Sequence, residues 1–338
     1  MRALVLLFVS VAAYAAPCLT ATSACTEWIA LPGGSWRSLI YRTHSLDTPN
    51  ENITRALIVI HGTNRDADNY FRTSLAAAFL AGGLDNTAVI VPRIASNDRN
   101  CHDVLAPNEV SYSCAGDSWR SGGVSASSDK VTSFDFVDEI LRKLARKQAF
   151  PNLKAIVVAG HSAGGQFVNR YEMANRVHET LGVPVSYIVS NPSSYAYPDN
   201  TRPAGENGAT FRPFSDARNC TTYNHWPYGF EGRTGYAGKL SDDELKKQLA
   251  SRPVVYLLGE LDILPLGGFD SSCPAMAQGS TRLARGQAFG KFVNEKLAAK
   301  PQILVVSLCG HNARCMFTSD TALPLLFPKT GTAAERPQ

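Results

Sequence analysis

Six short runs of consecutive apolar, β-favouring residues limit how this chain can fold: RALIVI (55–60), TAVIVP (87–92), KAIVVA (154–159), SYIVS (186–190), PVVYLLG (253–259) and QILVVS (302–307). None alternates apolar with polar residues, as a strand wetted on one face does. Continuous apolarity fits parallel strands covered on both faces. Between the runs, apolar residues recur at helical spacing. Phe134, Val137, Ile140, Leu141 and Leu144 form one stripe, Phe167, Tyr171 and Val177 a second, and Leu283, Phe289, Phe292, Val293 and Leu297 a third. EWIAL (27–31) and SLIYR (38–42) read as a hairpin ahead of them. The alternation predicts an α/β fold: a mostly parallel central sheet of about eight strands, flanked by helices and joined by right-handed crossovers.

Two segments are longer than simple connections need, 93–130 and 191–240. Both follow the carboxyl end of an expected strand, where open α/β sheets bind ligands. They are expected to be loop insertions walling a cleft, with a pair of surface loops pinned by disulfides as the other reading. One domain is expected over 16–327, with a disordered tail over 328–338. Arg2, the apolar run ALVLLFVSVAA and the small residues Ala13 and Ala15 predict a signal peptide over 1–15, cleaved near Ala15. The expected location is therefore secreted, extracellular or periplasmic. A net charge of +4 spread along 338 residues gives no basic footprint for nucleic acid, and no other stretch is long enough to span a membrane. A chain of this length can bury its own core, so a monomer is expected.

Eight cysteines fit an oxidising compartment. Short loops pair Cys101 with Cys114 and Cys309 with Cys315. Cys18 with Cys25 would staple the mature N-terminus, which leaves Cys220 with Cys273. Zinc held by NCHD (100–103) and Cys114 lacks any CxxC or HExxH pattern, so no metal and no cofactor is expected.

The chemistry gathers around IVVAGHSAGGQF (156–167), in which a β run enters Gly160-His161-Ser162-Ala163-Gly164 and a helical pattern follows. Strand, glycine-flanked serine and helix are the ingredients of a nucleophile elbow. A β-carbon at 160 or 164 would clash where the turn brings backbone close to its neighbours. A serine hydroxyl needs a base, and His311 lies in a loop that follows the last β run, bracketed by Cys309 and Cys315. The base needs a carboxylate to fix its tautomer. Asp262 is favoured, just past the penultimate run, with Glu260 and Asp270 as alternatives. The backbone N–H groups of Thr63, after the run ending at Ile60, and of Ala163 are expected to form an oxyanion hole. Arg65 and Asp66 read as a local ion pair. Tyr70, Trp119 and Tyr195 lie close to strand ends and are assigned to the substrate wall, with burial in the core as the other reading.

Taken in order, Gly160-His161-Ser162-Ala163-Gly164, Asp262 and His311 resemble the α/β-hydrolase superfamily, over about Thr26 to Phe327. The likeness extends to secreted bacterial and fungal esterases, and to a further group that carries segments such as NPSSYAY and SCPAMAQGSTRLARG. It implies an α/β-hydrolase fold and cleavage of a small-molecule or polymeric carboxylic ester through an acyl-enzyme, without a metal. The alternatives are an amidase or peptidase on the same fold, or an inactive hydrolase-fold binding protein.

Overall fold

The structure is a computed structural model and describes residues 16–205 and 208–329. The expected signal peptide and the tail beyond 329 lie outside the described residues. In chain order the strands are β1 (Thr26–Ala30), β2 (Arg37–Arg42), β3 (Arg55–Ile60), β4 (Thr87–Pro92), β5 (Ala155–His161), β6 (Val185–Ser190), β7 (Thr201–Ala204), β8 (Thr210–Pro213), β9 (Val254–Gly259) and β10 (Gln302–Val306). The helices are α1 (Ala67–Leu80), α2 (Ser133–Leu144), α3 (Ala163–Ala174), α4 (Asp242–Ser251), α5 (Cys273–Met276), α6 (Arg282–Leu297), α7 (Ala313–Phe317) and α8 (Leu323–Leu326).

Eight strands form one sheet in the order β1-β2-β4-β3-β5-β6-β9-β10, and β7 pairs with β8 apart from it. β1 and β2 form the expected antiparallel hairpin, and β2 pairs antiparallel with β4. From β4 to β10 every pairing is parallel. Because side chains alternate across a strand, β3 feeds two cores. Ala56, Ile58 and Ile60 join α2, α3, α4 and α6 on one face, while Leu57 and Val59 join α1, α7 and α8 on the other. This double cover explains the unbroken apolar runs. β10 departs from the expectation of a strand buried on both faces, since Ile303 and Val305 are exposed. It is the edge of the sheet.

Helix α2 begins with a reciprocal capping box, Thr132 Oγ1 taking the Asp135 N–H while the Asp135 carboxylate takes the Thr132 N–H. Its apolar stripe faces inward as expected. The stripe drawn through Val177 is corrected, because α3 ends at Ala174. Asn175 Oδ1 accepts the N–H groups of Val177 and His178 at 2.7 and 3.0 Å, which diverts the backbone from the helix.

Four cysteine pairs lie at bonding distance: Cys18 with Cys25, Cys101 with Cys114, Cys220 with Cys273 and Cys309 with Cys315. They fit disulfides, and they are the expected pairs, three from closeness along the chain and Cys220 with Cys273 as the remainder. Among the described residues no helix is long and apolar enough to cross a membrane. At the start of the expected tail, Arg55 Nη1 donates to the carbonyls of Phe327 and Pro328.

Candidate active site

Ser162 joins β5 to α3 with φ 60° and ψ −120°. For a residue carrying a β-carbon this backbone is strained by about 1–3 kcal/mol. The turn persists because the chain on either side is locked into place. Ser162 N–H donates to Ser190 O at 3.0 Å, and Ser162 O accepts the Gln166 N–H at 3.0 Å. The glycines at 160 and 164 are needed for space. A β-carbon on Gly160 would come within 2.2 Å of Gly164 O, and one on Gly164 within 2.1 Å of Ile60 O.

His311 reaches this turn from the loop after β10. Its Nε2 is 2.9 Å from Ser162 Oγ, and its Nδ1 is 2.8 Å from Asp262 Oδ2. An ionised carboxylate only accepts hydrogen bonds. Nδ1 therefore carries the proton, and Nε2 presents its lone pair to the serine hydroxyl. The loop is held by the Cys309–Cys315 pair, with Cα atoms 5.7 Å apart, and by Asn312, whose Oδ1 caps α7 through the Cys315 N–H at 3.0 Å. The two alternative acids are engaged elsewhere. Glu260 accepts from Ser307 Oγ and Leu308 N, both at 2.8 Å, and Asp270 accepts from Tyr228 Oη at 2.8 Å.

Behind Asp262 stands Arg282, a residue the sequence reading did not single out. Arg282 Nη1 lies 3.3 Å from Asp262 Oδ1, its Nε donates to Ser193 Oγ at 2.7 Å and its Nη2 to Gly267 O at 2.9 Å. Burial lowers the Arg282 pKa, and the neighbouring Asp262 carboxylate opposes that shift. A signal was present in RLARGQAFGKFVNEKL. Arg282 and Arg285 fall on the same helical stripe as Phe289, Phe292 and Val293, and all five are buried.

The cleft around Ser162 is lined by Gly62, Thr63, Tyr70, Gly267, Gly268 and His311, among others, and its volume is about 510 Å³. Ala163 is the first residue of α3, where helical N–H groups have no partner within the helix. Tyr70 lines the cleft, and its hydroxyl lies 3.2 Å from His161 Nδ1. Trp119 and Tyr195 do not. Trp119 is buried against His61 with ring centroids 5.2 Å apart, and Tyr195 is stacked on Phe289 at 4.7 Å, so both belong to the core. The Arg65–Asp66 pair is also corrected: Arg65 Nε binds Asp103 Oδ2 at 2.7 Å.

The flanking histidines are neutral at physiological pH. Burial holds the His61 pKa down to about 4, and its Nε2 accepts the Ile94 N–H at 3.1 Å. Burial, then the nearby His311, puts the His161 pKa well below the ordinary range.

A mostly parallel eight-stranded sheet, doubly covered, with a serine elbow at the end of β5 is the α/β-hydrolase fold. Two solved structures show the likeness. Poly(aspartic acid) hydrolase-1 from Sphingomonas sp. KT-1 is 20% identical, with 89% of this chain and 97% of that one covered and a TM-score of 0.61. A poly(3-hydroxybutyrate) depolymerase from Bordetella parapertussis is 21% identical, with 86% and 84% covered and a TM-score of 0.58. No family model matches the chain, and no curated protein matches it.

Proposed function

We propose that the protein is a secreted serine hydrolase that cleaves carboxylic esters through an acyl-enzyme on Ser162. The observation that carries this reading is the continuous contact from Ser162 Oγ through His311 to Asp262, at 2.9 and 2.8 Å. In the proposed cycle His311 Nε2 takes the hydroxyl proton as Ser162 Oγ attacks the ester carbonyl. The N–H groups of Thr63 and Ala163 stabilise the oxyanion, each such donor being worth about 10²–10³ in rate. His311 then protonates the departing alcohol. Water, deprotonated by the same imidazole, attacks the acyl-enzyme, and Ser162 leaves with the proton returned. Asp262 holds the tautomer and stabilises the imidazolium, and Arg282 positions Asp262. Four cysteine pairs at bonding distance support an oxidising destination, which the expected signal peptide would reach.

The test is a series of 4-nitrophenyl acyl esters run beside matched 4-nitroanilides. The reading expects ester turnover that is abolished by Ser162→Ala and anilide turnover far below it. Comparable rates on both series would assign an amidase instead, and no turnover of either would favour a binding protein on the same fold.

A further inference from the structure

Gly268 lines both the cleft that holds Ser162 and a second cavity of about 560 Å³. That cavity is built on the helix that starts at the nucleophile. Gln166 and Arg170 of α3 line it, and their side chains converge on one acceptor, Ser194 Oγ, at 2.7 and 3.0 Å. Helical side chains lean toward the helix N-terminus. Arg170, about two turns past Ser162, therefore brings its guanidinium back to the level of Gln166.

Arg170 is only 1% exposed, yet no carboxylate among the described residues lies within ion-pair distance of it. Its acceptors are neutral: Pro227 O at 3.0 Å and Ser194 Oγ at 3.0 Å. A guanidinium carries five N–H donors, so the others have no protein acceptor among the described residues. Burial, then the like charge of Arg120, lowers the Arg170 pKa to about 10, which leaves it a cation at neutral pH. Arg120, half-buried, lines the same cavity, and its side chain is tied by Nε to Ser118 Oγ at 3.2 Å. Two carboxylates also line the cavity, but both are engaged by other donors. Asp117 accepts from Trp226 Nε1 at 3.0 Å and Thr234 Oγ1 at 2.6 Å, and Asp270 from Tyr228 Oη at 2.8 Å and Ser272 N at 3.0 Å. They temper the field without pairing with Arg170.

A buried cation without a paired anion is costly, and here a guanidinium with no direct ion-pair partner lines a cavity that adjoins the cleft of Ser162. We propose that this cavity is an anion subsite of the active centre, and that the substrate bears a carboxylate held by Arg170 and Arg120 while its scissile carbonyl lies at Ser162. The placement of the carbonyl rests on the hydrolase reading; the anion site does not. Eight residues of helix rise about 12 Å, and the backward lean of Arg170 shortens the gap. A carboxylate separated from the carbonyl by several methylenes matches it.

The kinetic test compares mono-4-nitrophenyl adipate and suberate with 4-nitrophenyl hexanoate and octanoate, which places the charge on the acyl side. The hexanoyl ester of 6-hydroxyhexanoate, compared with hexyl hexanoate, places it on the alcohol side. In one arm kcat/KM for the charged ester should exceed the neutral one by at least about tenfold. That ratio should collapse in Arg170→Met and shrink in Arg120→Gln, whose less buried site keeps the test open if the first variant does not fold. A ratio near one in both arms, or one that survives these substitutions, overturns the proposal. Binding separates this inference from the hydrolase reading. Adipate titrated by calorimetry into Ser162→Ala protein should bind, at least about tenfold more weakly when Arg120→Gln is added. Absence of adipate binding removes the anion subsite even if neutral esters are hydrolysed. Binding without any ester turnover keeps the subsite and removes the hydrolase.

Discussion

Arg282 and His311 share one carboxylate: Arg282 Nη1 stands 3.3 Å from Asp262 Oδ1, and His311 Nδ1 stands 2.8 Å from Asp262 Oδ2. Arg282 and Asp262 are both almost fully buried. The guanidinium also ties Ser193 and the Gly267 carbonyl, so one side chain locks the acid and the loop beside it. Arg282→Met would leave a buried carboxylate without its cation, a loss of about 3–5 kcal/mol. Thermal unfolding should show the drop. Arg282→Lys should recover part of the stability but less of kcat, because an ammonium cannot serve the three acceptors as the planar fork does. A positioning role predicts a fall in kcat with KM little changed. Equal kcat in wild type and Arg282→Met would remove that role.

Asp262→Asn keeps the shape of the acid but favours the wrong tautomer of His311. Turnover of a 4-nitrophenyl ester should fall by about 10⁴. Near-normal turnover would take Asp262 out of the mechanism, since Glu260 and Asp270 are bound to other partners.

The Cys309–Cys315 pair brackets the imidazole at a sequence separation of 6. A disulfide closing so short a loop contributes roughly 2–3 kcal/mol on the chain-entropy account. The double variant Cys309→Ser, Cys315→Ser should lower kcat about ten- to a hundredfold, as a loosened base misplaces its nitrogen. Unchanged kcat would mean that α7 and its Asn312 cap hold His311 unaided.

Glu172 is buried on α3, and burial pushes its carboxyl pKa well above the ordinary range. Asn169 Nδ2 donates to Oε1, and Oε2 has no partner. The folded state thus holds a proton that the unfolded chain releases. This contribution to stability is present below the ordinary glutamate value of about 4.3. It is lost as pH rises through the raised folded value. Glu172→Gln imitates the protonated acid at every pH. Its melting temperature should exceed that of wild type at about pH 8, with the difference shrinking toward about pH 5. A difference independent of pH would show that Glu172 is not held neutral.

Much of this geometry was legible in the sequence because it is local. Five of the six apolar runs declare doubly covered strands, the edge strand β10 being the exception, and glycines at 160 and 164 declare a turn with no room for a β-carbon. His311 and Asp262 could be placed because each follows a readable β run. Arg170 could not, since an arginine in a helical pattern reads as a wet face until packing shows the helix buried, whereas Arg282 shares a readable apolar stripe with Phe289, Phe292 and Val293. Every residue of α3 is buried, so that helix offers no polar stripe to read against. Trp119 and Tyr195 were misassigned for the converse reason. Proximity to a strand end says nothing of the direction in which a ring points, and both rings turn into the core.

The central claim is that Ser162 is a nucleophile activated by His311. Its most direct test is covalent labelling of the folded protein with a fluorophosphonate, read by intact mass and peptide mapping. The account predicts one adduct, on the peptide containing Ser162, formed at least about a hundredfold more slowly in His311→Ala and absent in Ser162→Ala. No adduct on wild-type protein, or an adduct whose rate ignores residue 311, would contradict it.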